Sequence, residues 1–235
     1  MKRILLVLER DNMYRDSHLI KPLVAAVASK LESIKGEQYE VIWYNPLGLG
    51  GFGPLDPNDR LGSWPHSLRW LIKFFLLLIH PRHMRHYLSM RYFREKTING
   101  RAKNLRHTIA ALQKQYGDQV SVSILSRSAG GRVASLIADS LSPYIASIVC
   151  LGYPFKHPDR SVEPVRYIHL AKLMTPMLIV QGTRDEYGGK GVERAYAFSP
   201  SVALRFFETG HDFYLSPLDN EVLTSQVANF ISTHR

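Results

Sequence analysis

The 235-residue chain contains a single cysteine, Cys150, which excludes an intramolecular disulfide framework. That cysteine sits inside the apolar run SIVCLG, where a buried thiol is expected. A reducing, cytoplasmic setting suits such usage. Long hydrophobic runs are also missing. The run Ile4 to Leu8 is too short for a signal-peptide core and meets charge at once. The stretch Leu68 to Ile79 carries Arg69 and Lys73 and falls well short of the roughly 20 residues that a spanning helix needs. Neither an internal repeat nor a low-complexity tail is present. Apolar residues make up 45% and charged residues 21% of the chain, which excludes extended disorder, collagen and coiled coil.

Acids are scarce in one place. Residues 60–103 hold ten Lys and Arg (Arg60, Arg69, Lys73, Arg82, Arg85, Arg91, Arg94, Lys96, Arg101 and Lys103) against one acid, Glu95. Nine of the ten net positive charges therefore lie in this segment, and the rest of the chain is nearly neutral. The sequence describes a neutral body with a basic insert.

What is present is an alternation. Strand-length apolar runs at Arg3–Leu8, Tyr39–Tyr44, Val120–Leu125, Ile145–Leu151, Met177–Gln181 and Val202–Phe207 are separated by helical patterns near 17–34, 101–116, 129–141, 190–197 and 219–233. Continuous apolar strands between amphipathic helices predict a mainly parallel sheet of about six strands in a three-layer α/β sandwich. The expected organisation is one domain over 1–235, interrupted at 45–100 by a helical, basic cap insertion. Pro65 suits a first helical turn there, and Pro81 ends one helix and begins another.

The most informative stretch is Leu125-Ser126-Arg127-Ser128-Ala129-Gly130-Gly131-Arg132. It joins a buried strand to a helix built of small residues. A sharp strand-to-helix turn that presents a hydroxyl needs small residues two before and two after it, since larger ones collide with neighbouring backbone. Ser126 and Gly130 occupy those places around Ser128. The loop beyond the fifth strand carries Asp185, with Glu186 as a neighbouring acid, and the loop beyond the sixth carries His211. Asp212 reads as a cap for the last helix. Ser, Asp and His in that chain order, each past the carboxyl end of a parallel strand, suit nucleophilic acyl transfer.

On the stretches SRSAGGRVAS, CLGYPF, LMTPMLIVQGTRDEYGG and ETGHDFY, the chain resembles the α/β-hydrolase superfamily. The resemblance is to its small dienelactone-hydrolase-like branch, which includes a hydrolase-like regulatory subunit of a histone acetyltransferase complex. It implies a serine esterase or related acyl hydrolase with Ser128 as nucleophile, His211 as general base and Asp185 as the orienting acid, and no cofactor or metal. One oxyanion donor would be the backbone N–H of Ala129. The other would come from the loop after the first strand, at Arg10 or Asp11. Where the family has a His-Gly-small-Gly stretch, this chain reads Glu9-Arg10-Asp11-Asn12-Met13-Tyr14, without glycine and with two acids. That departure motivates a rival expectation, a catalytically inactive interaction scaffold.

Other features fit bland readings. Gly48-Leu49-Gly50-Gly51-Phe52-Gly53 spells a dinucleotide fingerprint but is followed by Pro54 and Pro57 instead of a helix. His80, His83 and His86 lack an acidic or thiol companion and stand among arginines, which disfavours a metal. Trp70 and Phe74 in the insert, and Tyr153 after the fourth strand, are the pocket or lid candidates. The expected partner is a small ester-like substrate, an acidic one being favoured by the basic mouth. The aromatic and basic insert offers peripheral contact with an anionic membrane surface. Nucleic acid is not expected, and the oligomeric state is left open.

Overall fold

The computed structural model describes residues 1–9, 19–36, 38–44 and 97–234. Six strands form a single sheet: β1 (Lys2–Leu8), β2 (Glu40–Trp43), β3 (Val120–Arg127), β4 (Ile145–Leu151), β5 (Met177–Gly182) and β6 (Val202–Phe207). Their order is β2-β1-β3-β4-β5-β6, and every pairing is parallel. The expected strand positions agree to within two residues at each end. β3 and β5 are buried along their whole length, whereas the edge strand β2 is only half-buried. This is why the central strands carry apolar residues on both faces, with small buried serines among the polar exceptions in β3 and β4.

The helices are α1 (Ile20–Lys35), α2 (Ile98–Tyr116), α3 (Ala129–Ile137), α4 (Val192–Ala195) and α5 (Pro217–Thr233). On one face of the sheet Leu5, Val7, Leu125, Val149, Leu151, Leu178 and Val180 form a continuous core with α1 and α5. The alternating side-chain period turns Ile4, Ile124, Ser126 and Cys150 to the other face. There α3 packs on β3 and β4. Two helical layers thus enclose the sheet, as the expected sandwich requires.

Local chemistry fixes the helix ends. Gly36 closes α1 in the left-handed conformation, at φ 64°. Ser216 caps α5, its Oγ accepting from Asp219 N at 3.1 Å, with Pro217 in the first turn. α3 is shorter than the 129–141 pattern predicts and passes into a 3₁₀ turn at Asp139–Leu141. Between β4 and β5, where a crossover helix is usual, the chain makes only two 3₁₀ turns, Pro164–Arg166 and Ile168–Ala171.

The chain divides into two compact units, one made of Met1–Tyr44 and Leu105–Arg235, the other of Asn45–Asn104. Of the second, only 97–104 are described. They begin α2, and Thr97 Oγ1 accepts from Gly100 N at 3.0 Å. The Gly-rich loop, the proline-bounded helices, the three histidines of the insert, Trp70 and Phe74 all lie outside the described residues. Among the described residues, no helix is long and apolar enough to cross a membrane.

Candidate active site

The strand order reverses between β1 and β3, and such a switch point opens a crevice beyond the carboxyl ends of the strands. Ser128 stands there, between the end of β3 and the start of α3. Its φ of 48° and ψ of −118° are a conformation that costs a non-glycine residue about 1–3 kcal/mol. The surroundings hold it in place. Ser128 N donates to Leu151 O at 2.9 Å, and Gly131 N donates to Ser128 O at 3.0 Å.

Small residues are required around the turn for measurable reasons. A Cβ on Gly130 would lie 2.8 Å from Leu8 O and 2.9 Å from Glu9 O, and one on Gly131 would lie 2.1 Å from Cys150 Sγ. Ser126 is fully buried and its Oγ donates to Val149 O at 2.7 Å. Cys150 packs beneath the turn, and burial pushes its thiol up to about 12. The buried thiol expected from the sequence is what the structure contains.

The structure brings Ser128, His211 and Asp185 together. His211 Nδ1 is 2.9 Å from Asp185 Oδ2. A carboxylate only accepts, so the Nδ1 proton donates to it, and Nε2 is left as the acceptor facing Ser128 Oγ at 3.2 Å. All three residues are buried. Asp185 is held by two further donors, Gln181 Nε2 and Tyr187 N, each at 2.8 Å, whereas Glu186 is exposed. The Tyr187 ring leans on the imidazole, with ring centres 4.5 Å apart.

Gly152 makes room for this imidazole. It adopts φ 64°, and a Cβ there would sit 3.2 Å from Cε1 and Nδ1 of His211. At the end of β5, a Cβ on Gly182 would be 2.5 Å from Thr209 O, so the loops bearing Asp185 and His211 touch backbone to backbone.

Two positioning residues escaped sequence reasoning. Gln181 is fully buried. Its amide donates to Asp185 Oδ2 and to Tyr153 O, and its Oε1 accepts from Tyr153 N at 2.9 Å. Arg127 has only 3% of its side chain exposed and lies 3.2 Å from Asp212 Oδ1. It also donates to His211 O at 3.2 Å, which pins the histidine loop. Asp212 therefore pairs with Arg127, and the cap of the last helix is Ser216. A glutamine at the end of an apolar strand and an arginine beside the nucleophile were the available signals, but burial is not visible in sequence.

Ala129 opens α3, where helical N–H groups have no intrahelical acceptor. Arg10 and Asp11 lie outside the described residues. Glu9, just before them, is buried at the end of β1. Tyr153 is also fully buried, with its hydroxyl donating to Arg166 O at 2.6 Å and its ring on Phe155. Among the described residues no group of three or more His, Cys, Asp or Glu is placed to hold a metal ion.

A parallel sheet with a serine on a strained strand-to-helix turn, and histidine and aspartate on later strand-end loops, has the architecture of the α/β-hydrolase class. The family model described as an alpha/beta hydrolase domain matches residues 84–234. The chain belongs to this family. Among solved structures it is similar to a dienelactone hydrolase from Anabaena variabilis, at 15% identity and TM-score 0.56, over 99% of this chain and 87% of that one. It is likewise similar to a hydrolase from Oleispira antarctica, at 15% identity and TM-score 0.55, over 98% and 91%. A third similar structure is Est1E from Butyrivibrio proteoclasticus, at 14% identity and TM-score 0.54, over 98% and 87%. At these identities the likeness concerns the fold. No curated protein matches the chain.

Proposed function

We propose that the protein is a serine hydrolase that cleaves a small ester-like substrate through an acyl-enzyme. The carrying observation is the hydrogen-bonded series from Asp185 through His211 to Ser128, at 2.9 and 3.2 Å, with Ser128 on a strained turn. His211 Nε2 takes the Ser128 proton as Oγ attacks the carbonyl, and Asp185 stabilises the imidazolium. The Ala129 N–H, at the positive end of α3, is the first oxyanion donor of this reading, and the family resemblance assigns the second to a backbone N–H at Arg10 or Asp11, outside the described residues. His211 then returns the proton to the leaving alcohol. Water, activated by the same imidazole, attacks the acyl-enzyme and releases the acid.

The family membership supports this reading, since the class is built around such a turn. The hydrogen bonding supports it further: buried Asp185 accepts from Gln181, Tyr187 N and His211 Nδ1, which holds the imidazole in the orientation and tautomer a general base needs. Fluorophosphonate labelling, together with turnover of short-chain aryl esters, tests the proposal. Wild type should label, and Ser128→Ala should not. His211→Ala should lower kcat by roughly 10⁴-fold or more. A well-folded wild type that neither labels nor turns over any ester would overturn it and favour the interaction scaffold.

A further inference from the structure

In the proposed hydrolysis, His211 Nε2 gives its proton to the oxygen that leaves the acyl carbon. That oxygen must come within about 3 Å of the nitrogen, so the group it carries lies beside the imidazole. The neighbours of His211 therefore bear on which alcohol is released. Asp185 takes the Nδ1 end. Gly152 closes on Cε1 and Nδ1, where a Cβ would be 3.2 Å from each, and Phe213, equally near that point, is buried. Tyr187 differs from these in being only half-buried. Its ring centre is 4.5 Å from that of the imidazole, and the two planes are tilted by 42°.

The backbone of Tyr187 is fixed on both sides. Its N donates to Asp185 Oδ1 at 2.8 Å, and its O accepts from Lys156 N at 3.0 Å. His157 stands nearly at right angles to the ring, at 81°, with ring centres 6.0 Å apart. The far end of the side chain is not tied. Among the described residues its hydroxyl makes no hydrogen bond, and since a buried tyrosine hydroxyl finds a partner, this one reaches water. A rigid backbone thus presents a partly wetted aromatic ring beside the group that protonates the leaving oxygen. Aromatic pairs attract at ring-centre separations of about 4.5–7 Å. A ring attached through one carbon to an oxygen about 3 Å from Nε2 comes within that reach of Tyr187.

We infer that Tyr187 is the specificity residue for the leaving group, and that the enzyme prefers esters whose alcohol carries an aromatic ring. This rests on the proposed hydrolase reading. As the acyl carbon–oxygen bond breaks, its electron pair stays on the departing oxygen, which takes the proton from His211 Nε2 while the ring of the alcohol lies against Tyr187. The alcohol has gone when water attacks the acyl-enzyme. The contact therefore acts on acylation, and only for alcohols that bear a ring. A substitution that merely loosens His211 or Asp185 slows every ester alike.

The test uses the full chain and the acetate esters of benzyl alcohol, cyclohexylmethanol and methanol, which share one acyl group. For each, kcat/KM is measured in wild type, Tyr187→Phe and Tyr187→Leu. Relative to their rates of hydrolysis by hydroxide, wild type should favour benzyl over cyclohexylmethyl acetate. Equality there overturns the preference, whether or not the leucine variant folds. Tyr187→Leu should lower kcat/KM for benzyl acetate roughly 2- to 12-fold more than for methyl acetate, the worth of one aromatic pair. Cyclohexylmethyl acetate, of similar bulk without an aromatic face, should lose less than benzyl acetate. Tyr187→Phe, which keeps the ring, should retain the wild-type order. An equal fall for all three esters in Tyr187→Leu overturns the inference and assigns Tyr187 to the support of His211. A loss of preference in Tyr187→Phe as large as in Tyr187→Leu overturns it in favour of the hydroxyl. Each of these results leaves the hydrolase reading standing. A folded wild type that turns over no ester at all overturns that reading, and this inference with it.

Discussion

Replacing Gln181 by leucine removes a hydrogen-bonding amide of nearly equal volume from a fully buried position. Three bonds disappear with it: one to Asp185 Oδ2 at 2.8 Å, one to Tyr153 O at 3.3 Å, and the acceptor for Tyr153 N at 2.9 Å. Asp185 keeps His211 Nδ1 and Tyr187 N, so its carboxylate stays engaged but turns more freely. The Tyr153 N–H loses its acceptor in the interior, at a cost of about 1–3 kcal/mol. The lost charged hydrogen bond adds about 1.5–3 kcal/mol, and Gln181→Leu should be roughly 2.5–6 kcal/mol less stable. For a chain of this length that corresponds to a fall of about 5–24 °C in melting temperature. Catalysis should suffer less than from loss of a reacting group. We expect kcat/KM for a short-chain aryl ester to fall about 10- to 100-fold, the cost of a slackened orienting group. Gln181→Glu keeps an acceptor for Tyr153 N but sets a second carboxylate against Asp185, and should be the slower enzyme of the two despite conserving more bonds. A Gln181→Leu protein with wild-type melting temperature and turnover within twofold would refute the assignment of Gln181 as the brace of Asp185.

Further outcomes can be checked in the same way. Gly130→Ala drives a Cβ against two backbone oxygens of β1 and its end; melting should report a loss of about 1–3 kcal/mol, and fluorophosphonate labelling should slow as Ser128 moves off His211. Arg127→Met removes the bond to His211 O and should lower kcat with little change in KM, while Asp212→Asn, on the exposed side of the same pair, should change activity less than threefold or so. Cys150, with its thiol pushed up to about 12, should resist aromatic disulfide reagents at pH 8 in the folded protein and react fully in denaturant. His169 faces Arg132, Asp139, Ser135 and Tyr153, and burial holds its imidazole at about 4, below the usual 6.5. The unfolded chain therefore takes up a proton that the folded chain refuses. Stability present above pH 6.5 should decline as pH falls toward 4, and urea midpoints of His169→Gln should lose that part of the slope.

The parts of the fold legible in sequence are those where one physical signal dominates. Central strands buried on both faces are built mainly of apolar and small residues, so β3, β4 and β5 declare themselves, and β1 does so from Ile4 on. Ser128 was legible because its turn demands small neighbours, and the distances from Gly130 to Leu8 O and Glu9 O give that demand its size. The β4–β5 connection was not legible as 3₁₀ turns, since Val162, Val165 and Ile168 are exposed and their spacing imitates no buried face. Gln181 and Arg127 were invisible for a shared reason. Polar side chains normally face water, and only the folded chain shows which of them do not.

The parallel register has a consequence for how the chain reaches this state. Lys2 pairs with Val120, while Ile4 pairs with Glu40 on the other side. Strand β1 thus acquires one neighbour early in synthesis and waits for the other while roughly 120 residues emerge, about 6–24 s on a ribosome. During that interval its apolar run has an open edge, in a topology that folds slowly because its contacts are distant in sequence. The interval between β1 and β3 includes the basic stretch 60–103. Net charge of one sign opposes self-association of a chain whose sheet has not yet closed, and nine of the ten net positive charges are made in that interval.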